Sequence, residues 1–173
     1  IMEPADLLRA EAEALLAGIV LDTKNFTMRT GGRTFEAAAF LRRSGADTAE
    51  VKKLFQNDLE DTIAKYSIIQ HAHLYREHIA VAVAEKAVGR VIIAQAADEL
   101  LNIFGIDASF VLAPDGDRVI ISGRSMGEVN VQVILETLGG GGNAAAAGGQ
   151  VQGKPIQEVA KELAQAIDKY LEE

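Results

Sequence analysis

The stretch that most constrains the fold is Ala108-Ser-Phe-Val-Leu-Ala113, then Pro114-Asp115-Gly116-Asp117, then Arg118-Val-Ile-Ile-Ser122. Two apolar runs of strand length flank a cluster of turn formers, which predicts a β-hairpin. Strand and helix signals continue on both sides. Ile79–Val83 reads as a further strand, and residues 91–104 as a helix stopped by Gly105. After the hairpin, Val129 to Leu138 carries apolar Val129, Val133, Ile134 and Leu138 at helical spacing, until Gly139–Gly142 interrupts it. Ala144 to Val151 reads as a short strand of small residues. Pro155 at the first helical position opens a last helix, with Ile156, Val159, Leu163, Ile167 and Leu171 on one face. The second half is therefore mixed α+β.

The first third is helical. Residues 6–17 carry Leu8, Ala12, Leu15, Leu16 and Ile19 on one face, with Asp6 as the expected N-cap. Ile19-Val20-Leu21 before Asp22 reads equally as a buried strand or as the end of that helix. Residues 22–33 are polar and contain glycine, so they read as a loop. Thr34 is expected to cap a helix through Phe40 and Leu41, closed by Gly45. Asp47 with Glu50 resembles a capping box. It is expected to open one long helix through Val51, Leu54, Phe55 and Ile63 toward Ile69. That helix would bridge a helical part and an α+β part, with a ligand cleft between them.

Composition narrows the function. The chain of 173 residues has no cysteine, which excludes disulfides, thiolate metal sites and a catalytic thiol. A formal net charge of -8 argues against coating duplex nucleic acid, which needs a basic face. An anionic small ligand then depends on local arginines, oriented backbone N–H groups or metal ions. No apolar run reaches the roughly 20 residues that span a bilayer, and Ile1-Met2-Glu3-Pro4 has no signal-peptide character.

Three segments hold candidate chemistry. Asp22, after an apolar run, reads either as an oxygen ligand for a hard cation or as a cap on local backbone N–H groups. Gly139, Gly140, Gly141 and Gly142, followed by Asn143, leave backbone N–H groups uncovered, as anion nests require. The alternative is a flexible linker, against which the small residues that follow argue. Arg124, in Ser122-Gly-Arg-Ser125, reads as a phosphate or base contact, or as a solvated surface arginine. His71 and His73 would share a face only on a strand. Asp58-Leu-Glu-Asp61 reads as a solvated helix face.

Together, Leu15–Phe26, Arg29-Thr-Gly, Arg33-Thr-Phe-Glu-Ala-Ala, Ser122–Val133 and Leu138–Gly142 resemble the DHH/DHHA1 phosphoesterases. The resemblance extends to the bacterial membrane-anchored cyclic di-AMP phosphodiesterases. It implies the C-terminal part of a DHH catalytic domain over 1–56 and a helical linker over 57–75. A DHHA1 substrate-binding domain, a mixed sheet flanked by helices, would follow over 76–173. It further implies a two-manganese hydrolase that converts cyclic di-AMP to linear diadenylate. Asp22 matches a metal ligand; Arg124, Ser125, Gly139–Gly142 and Asn143 match the substrate-holding side. An anchor upstream and a cytoplasmic setting are likewise implied, and a homodimer through the helical half is expected beside them.

Two departures matter. The Asp-His-His motif is absent, so the chain reads as a fragment whose metal site is incomplete and which is expected to be inactive alone. Asn143 stands where the family has histidine, either by substitution or because the local sequence is shortened, as the Glu3–Asp6 junction also looks. Asparagine cannot carry positive charge or serve as an acid near neutral pH. Competing readings are an oligoribonuclease or 3′-phosphoadenosine phosphatase of the same superfamily, or a non-catalytic nucleotide-binding module.

Overall fold

A computed structural model describes residues 7–172. Asp6 and the Glu3–Asp6 junction lie outside these residues. The chain forms two compact units, dividing between Asn57 and Asp58.

The first unit holds α1 (Arg9–Asp22), α2 (Gly32–Arg43) and α3 (Thr48–Lys53). Ile19-Val20-Leu21 completes α1, so Asp22 ends a helix rather than a strand. The helix starts at Arg9, where the Leu8 N–H donates to the Glu11 carboxylate at 2.9 Å. The helix expected from Thr34 starts earlier, at Gly32, and Thr34 Oγ1 accepts the Gly31 N–H at 3.2 Å. Gly45 (φ 102°) ends it: the Gly45 N–H donates to Arg42 O and the Ala46 N–H to Leu41 O, a Schellman closure. Ala12, Leu16, Leu41, Ala46 and Val51 form the core. Asp47 caps α3 by accepting the Ala49 N–H at 2.8 Å. Its own N–H goes to Glu13 Oε1 (3.2 Å), while Glu50 turns to Lys53 (2.8 Å).

The long bridging helix does not form. It is broken over residues 54–58, and α4 (Leu59–Ile69) starts afresh with Asp58 accepting the Asp61 N–H at 2.8 Å. Asp58 is thus a cap. Glu60 and Asp61 occupy the first turn, where negative charge meets the positive end of the helix.

The second unit is built on a six-stranded sheet of order β1-β2-β3-β4-β6-β5. The strands are β1 (His73–Tyr75), β2 (Ile79–Val83), β3 (Ala108–Asp115), β4 (Arg118–Ser125), β5 (Gly141–Asn143) and β6 (Ala146–Gln152). Helices α5 (Arg90–Leu100), α6 (Val131–Glu136) and α7 (Ile156–Glu172) complete it. β2 and β3 are parallel, joined through α5; the other pairs are antiparallel. The hairpin is longer than its turn signal suggests. Pro114 pairs with Val119 and Asp115 with Arg118, so only Gly116-Asp117 connects the strands, with Gly116 at φ 62°.

Strand alternation sorts the two faces. Ile79, Val81, Phe110, Leu112, Val119 and Ile121 pack against α6 and α7, whose Ile134, Val159, Leu163 and Ile167 are fully buried. Ala80, Ala82, Val111 and Ala113 face α4 and α5, meeting Ile68, Ile93, Ala96 and Ala97. Large residues fill one face. Alanines on the other let α5 approach closely, which accounts for the Ile-Ala-Val-Ala-Val sequence of β2. The helix read over 91–104 stops at Leu100 and passes through turns to Gly105 (φ 83°).

Candidate functional site

Alternation along β4 places Ile120, Ser122 and Arg124 on the face that α5 covers only in part. The neighbouring β6 adds Ala146, Gly148 and Gln150 in register with Arg124, Ser122 and Ile120. These residues line a pocket of about 600 Å³. Gly139–Gly142 form one wall, and Arg90, at the start of α5, stands at another side. Arg124 and the glycine run, both read from sequence as ligand-holding, therefore meet in one pocket.

The glycine run is not a free linker, because Gly141 and Gly142 belong to β5 and pair with Gly148 and Ala147. A Cβ on Gly140 would lie 2.5 Å from Gly148 O, and one on Gly142 (φ 153°) would lie 2.4 Å from Ala146 O. A side chain at either position is excluded by the backbone beside it. Gly141 differs, since a Cβ there would meet nothing within 4 Å.

Arg124 is held from three sides. Its Nη1 donates to Ser122 Oγ (3.1 Å) and to Gly123 O (2.9 Å), while Nε lies 3.3 Å from Asp98 Oδ1 on α5. Its side chain is 17% exposed. Such a guanidinium is oriented before a ligand arrives, which lowers the entropy cost of binding. Arg90 Nη2 donates to Gln150 Oε1 at 3.1 Å. Sequence reasoning missed Arg90, Asp98 and Gln150. Arg90 and Asp98 are ordinary helix-surface residues until β4 and β6 are laid beside α5. Of the small residues after Gly142, Ala146, Ala147 and Gly148 line the pocket.

Two expected members stand elsewhere. Ser125 has the opposite strand parity to Arg124 and is fully buried, with its Oγ accepting the Gly127 N–H at 2.9 Å. Asn143 is exposed and folds back on its own hairpin: Oδ1 accepts the Ala145 and Ala146 N–H groups, each at 3.0 Å. It acts there as a turn former.

Asp22 lies in the first unit, at the end of α1, with its side chain 72% exposed and 3.8 Å from Arg29 Nη1. The following loop is unusual, because Lys24, Asn25, Phe26 and Arg29 all have positive φ. Thr23 anchors it, with Oγ1 donating to Ile19 O (2.7 Å) and accepting the Phe26 N–H (2.9 Å). Phe26 stacks on Phe35 at 5.4 Å. His71 and His73 do not share a strand: His71 follows α4 with Nδ1 2.7 Å from Ser67 O, while His73 opens β1. Among the described residues, no three His, Asp or Glu side chains gather to hold a metal ion. Asp22 with a cation as its neighbour does not fit a two-metal centre.

A family model described as the DHHA1 domain matches residues 77–173. The chain belongs to the DHHA1 family. Outside that match, similarity continues through the helical unit. The chain is 47% identical over 167 residues to the cyclic-di-AMP phosphodiesterase GdpP of Bacillus subtilis (strain 168), covering 94% of this chain and 25% of that protein. It is 46% identical over 165 residues to the cyclic-di-AMP phosphodiesterase PdeA of Listeria monocytogenes, with the same coverage. It thus spans about a quarter of the length of these relatives. An exopolyphosphatase-related protein from Bacteroides fragilis shares the fold at a TM-score of 0.86 and 21% identity, over 96% of this chain and 52% of that one. Among the described residues of this DHHA1 chain, no helix is long and apolar enough to cross a membrane.

Proposed function

We propose that this chain is the substrate-holding part of a manganese-dependent phosphodiesterase that opens cyclic di-AMP to linear diadenylate. The observation that carries the proposal is the convergence of Arg124 with Gly139–Gly142 on one pocket. The similarity to cyclic-di-AMP phosphodiesterases supports the choice of ligand. A fixed guanidinium suits a phosphodiester, and a floor of Ala146 and Gly148 leaves room for a flat nucleobase against sheet backbone.

Among the described residues no set of side chains fits the metals that such a reaction uses, so no catalytic step is assigned to Asp22 or to the glycine run. We propose that the chain by itself binds the dinucleotide without hydrolysing it. Asp22 would become a ligand only beside further carboxylates and histidines. The exposed carboxylate of Asp22 supports this non-catalytic binding reading for the chain alone. In the cell it would act as a cytoplasmic portion of a membrane-anchored bacterial protein, with a homodimer formed through the helical unit.

The test compares this chain with a form extended N-terminally. Cyclic di-AMP binding is followed by calorimetry and turnover by product analysis with manganese. Binding by both forms with turnover by the longer one alone is expected. Preference for linear oligonucleotides or 3′-phosphoadenosine compounds would transfer the reading to another phosphatase class. Turnover by this chain would overturn the assignment of its residues to holding alone.

A further inference from the structure

The pocket holds a second cation that the family resemblance does not assign. Arg90 lies in the first turn of α5, where positive charge opposes the helix dipole, so helix stability does not explain it. Its hydrogen-bond partner is the neutral Gln150 amide oxygen at 3.1 Å, and among the described residues no carboxylate pairs with it. Arg124, by contrast, has Asp98 at 3.3 Å.

Register places the two anchors at different points along the pocket. Gln150, which holds Arg90, is paired with Ile120, and Arg124 stands four residues further along β4. At the usual strand rise those two backbone positions are about 13 Å apart, and the Arg124 guanidinium folds back from its own toward Ser122, to which its Nη1 donates at 3.1 Å. Between them the pocket floor carries Ser122 and Gly148, which put little side chain in the way. The two guanidinium groups are held by separate partners, Gln150 for Arg90 and Ser122 with Asp98 for Arg124, so a ligand with two anionic groups can engage each of them.

We propose that Arg90, steadied by Gln150, is a second anion anchor that takes the other phosphate of a dinucleotide whose first phosphate is held at Arg124. The pocket then selects by ligand length, favouring dinucleotides with two phosphates over mononucleotides. This rests on the proposed function, in which Arg124 and the glycine wall hold a nucleotide. Arg90 is exposed, hydrogen-bonds to Gln150 and lies outside the buried cores, so replacing it leaves the core intact.

The test measures the affinity of the whole chain, wild type, Arg90→Ala and Arg90→Lys, for cyclic di-AMP, linear diadenylate and AMP, with melting temperature as the folding control. Arg90→Ala is expected to weaken both dinucleotides about tenfold or more, the loss of one charge-assisted hydrogen bond, and to leave AMP unchanged. Arg90→Lys should recover part of that loss, because it keeps the charge but not the fork. Equal weakening of AMP and dinucleotides, or unchanged dinucleotide binding by Arg90→Ala, overturns the inference while the nucleotide-holding reading stands. If the wild-type chain binds none of the three ligands, both readings fall together.

Discussion

At the scale of single residues, the glycine run separates into positions that the fold requires and one that it leaves free. Gly142 has φ 153°, and both it and Gly140 sit where a Cβ would strike backbone oxygen. Gly140→Ala or Gly142→Ala is expected to destabilise the chain by about 1–3 kcal/mol, read as a lower denaturation midpoint. Gly141→Ala should keep the midpoint, because a Cβ there meets open space. A Gly141 variant that melts early would show that the wall is tighter than its geometry implies. The run was visible in sequence, but its division was not, because closeness to Gly148 and Ala146 arises only when β5 pairs with β6. Asn143 shows the same limit. Its chemistry was legible, whereas its commitment to the Ala145 and Ala146 N–H groups depends on the tight hairpin.

At the scale of elements, strands and helices with strong periodicity were legible, and the errors fell where caps compete. β2 matches its expected bounds, with His78 before the apolar run and Ala84-Glu85 after it. The helix read through Leu54 and Ile63 divides because Asp58 offers its carboxylate to the Asp61 N–H and restarts the chain. The β1–α7 contact was not legible, since it joins residues far apart in sequence. Tyr75 donates to Asp168 Oδ2 and Arg76 to Asp168 Oδ1, both at 2.8 Å. The Tyr75 hydroxyl and then the Arg76 guanidinium hold the Asp168 carboxyl below its ordinary value, and the Tyr75 phenol is raised in return. A depressed carboxylate stabilises the fold above its unfolded pKa and loses that effect as pH falls through the folded value. Asp168→Asn should therefore lower the melting temperature at neutral pH, and the gap from wild type should close below about pH 4. A gap that persists in acid would mean that the contact is not ionic.

At the scale of the whole molecule, the pocket and both sheet-facing cores belong to residues 58–173. That portion, produced alone, is expected to fold cooperatively and to keep the ligand affinity of the full chain, measured by thermal melting and calorimetry. Loss of affinity with folding retained would assign part of the ligand contact to the helical unit. The α+β character of this unit was legible from its alternation of strand and helix signals. The strand order was not, because placing β6 between β4 and β5 depends on which runs pair. That order also affects how the molecule behaves in a crowded solution. The two outermost strands, β1 and β5, are three residues each. The longest ladders are interior, and β5 covers only Ala146, Ala147 and Gly148 of β6, so the edge open to a neighbouring strand on that side is the short run from Gly149 to Gln152. A broad sheet is thereby presented with only short stretches of edge open to strand addition.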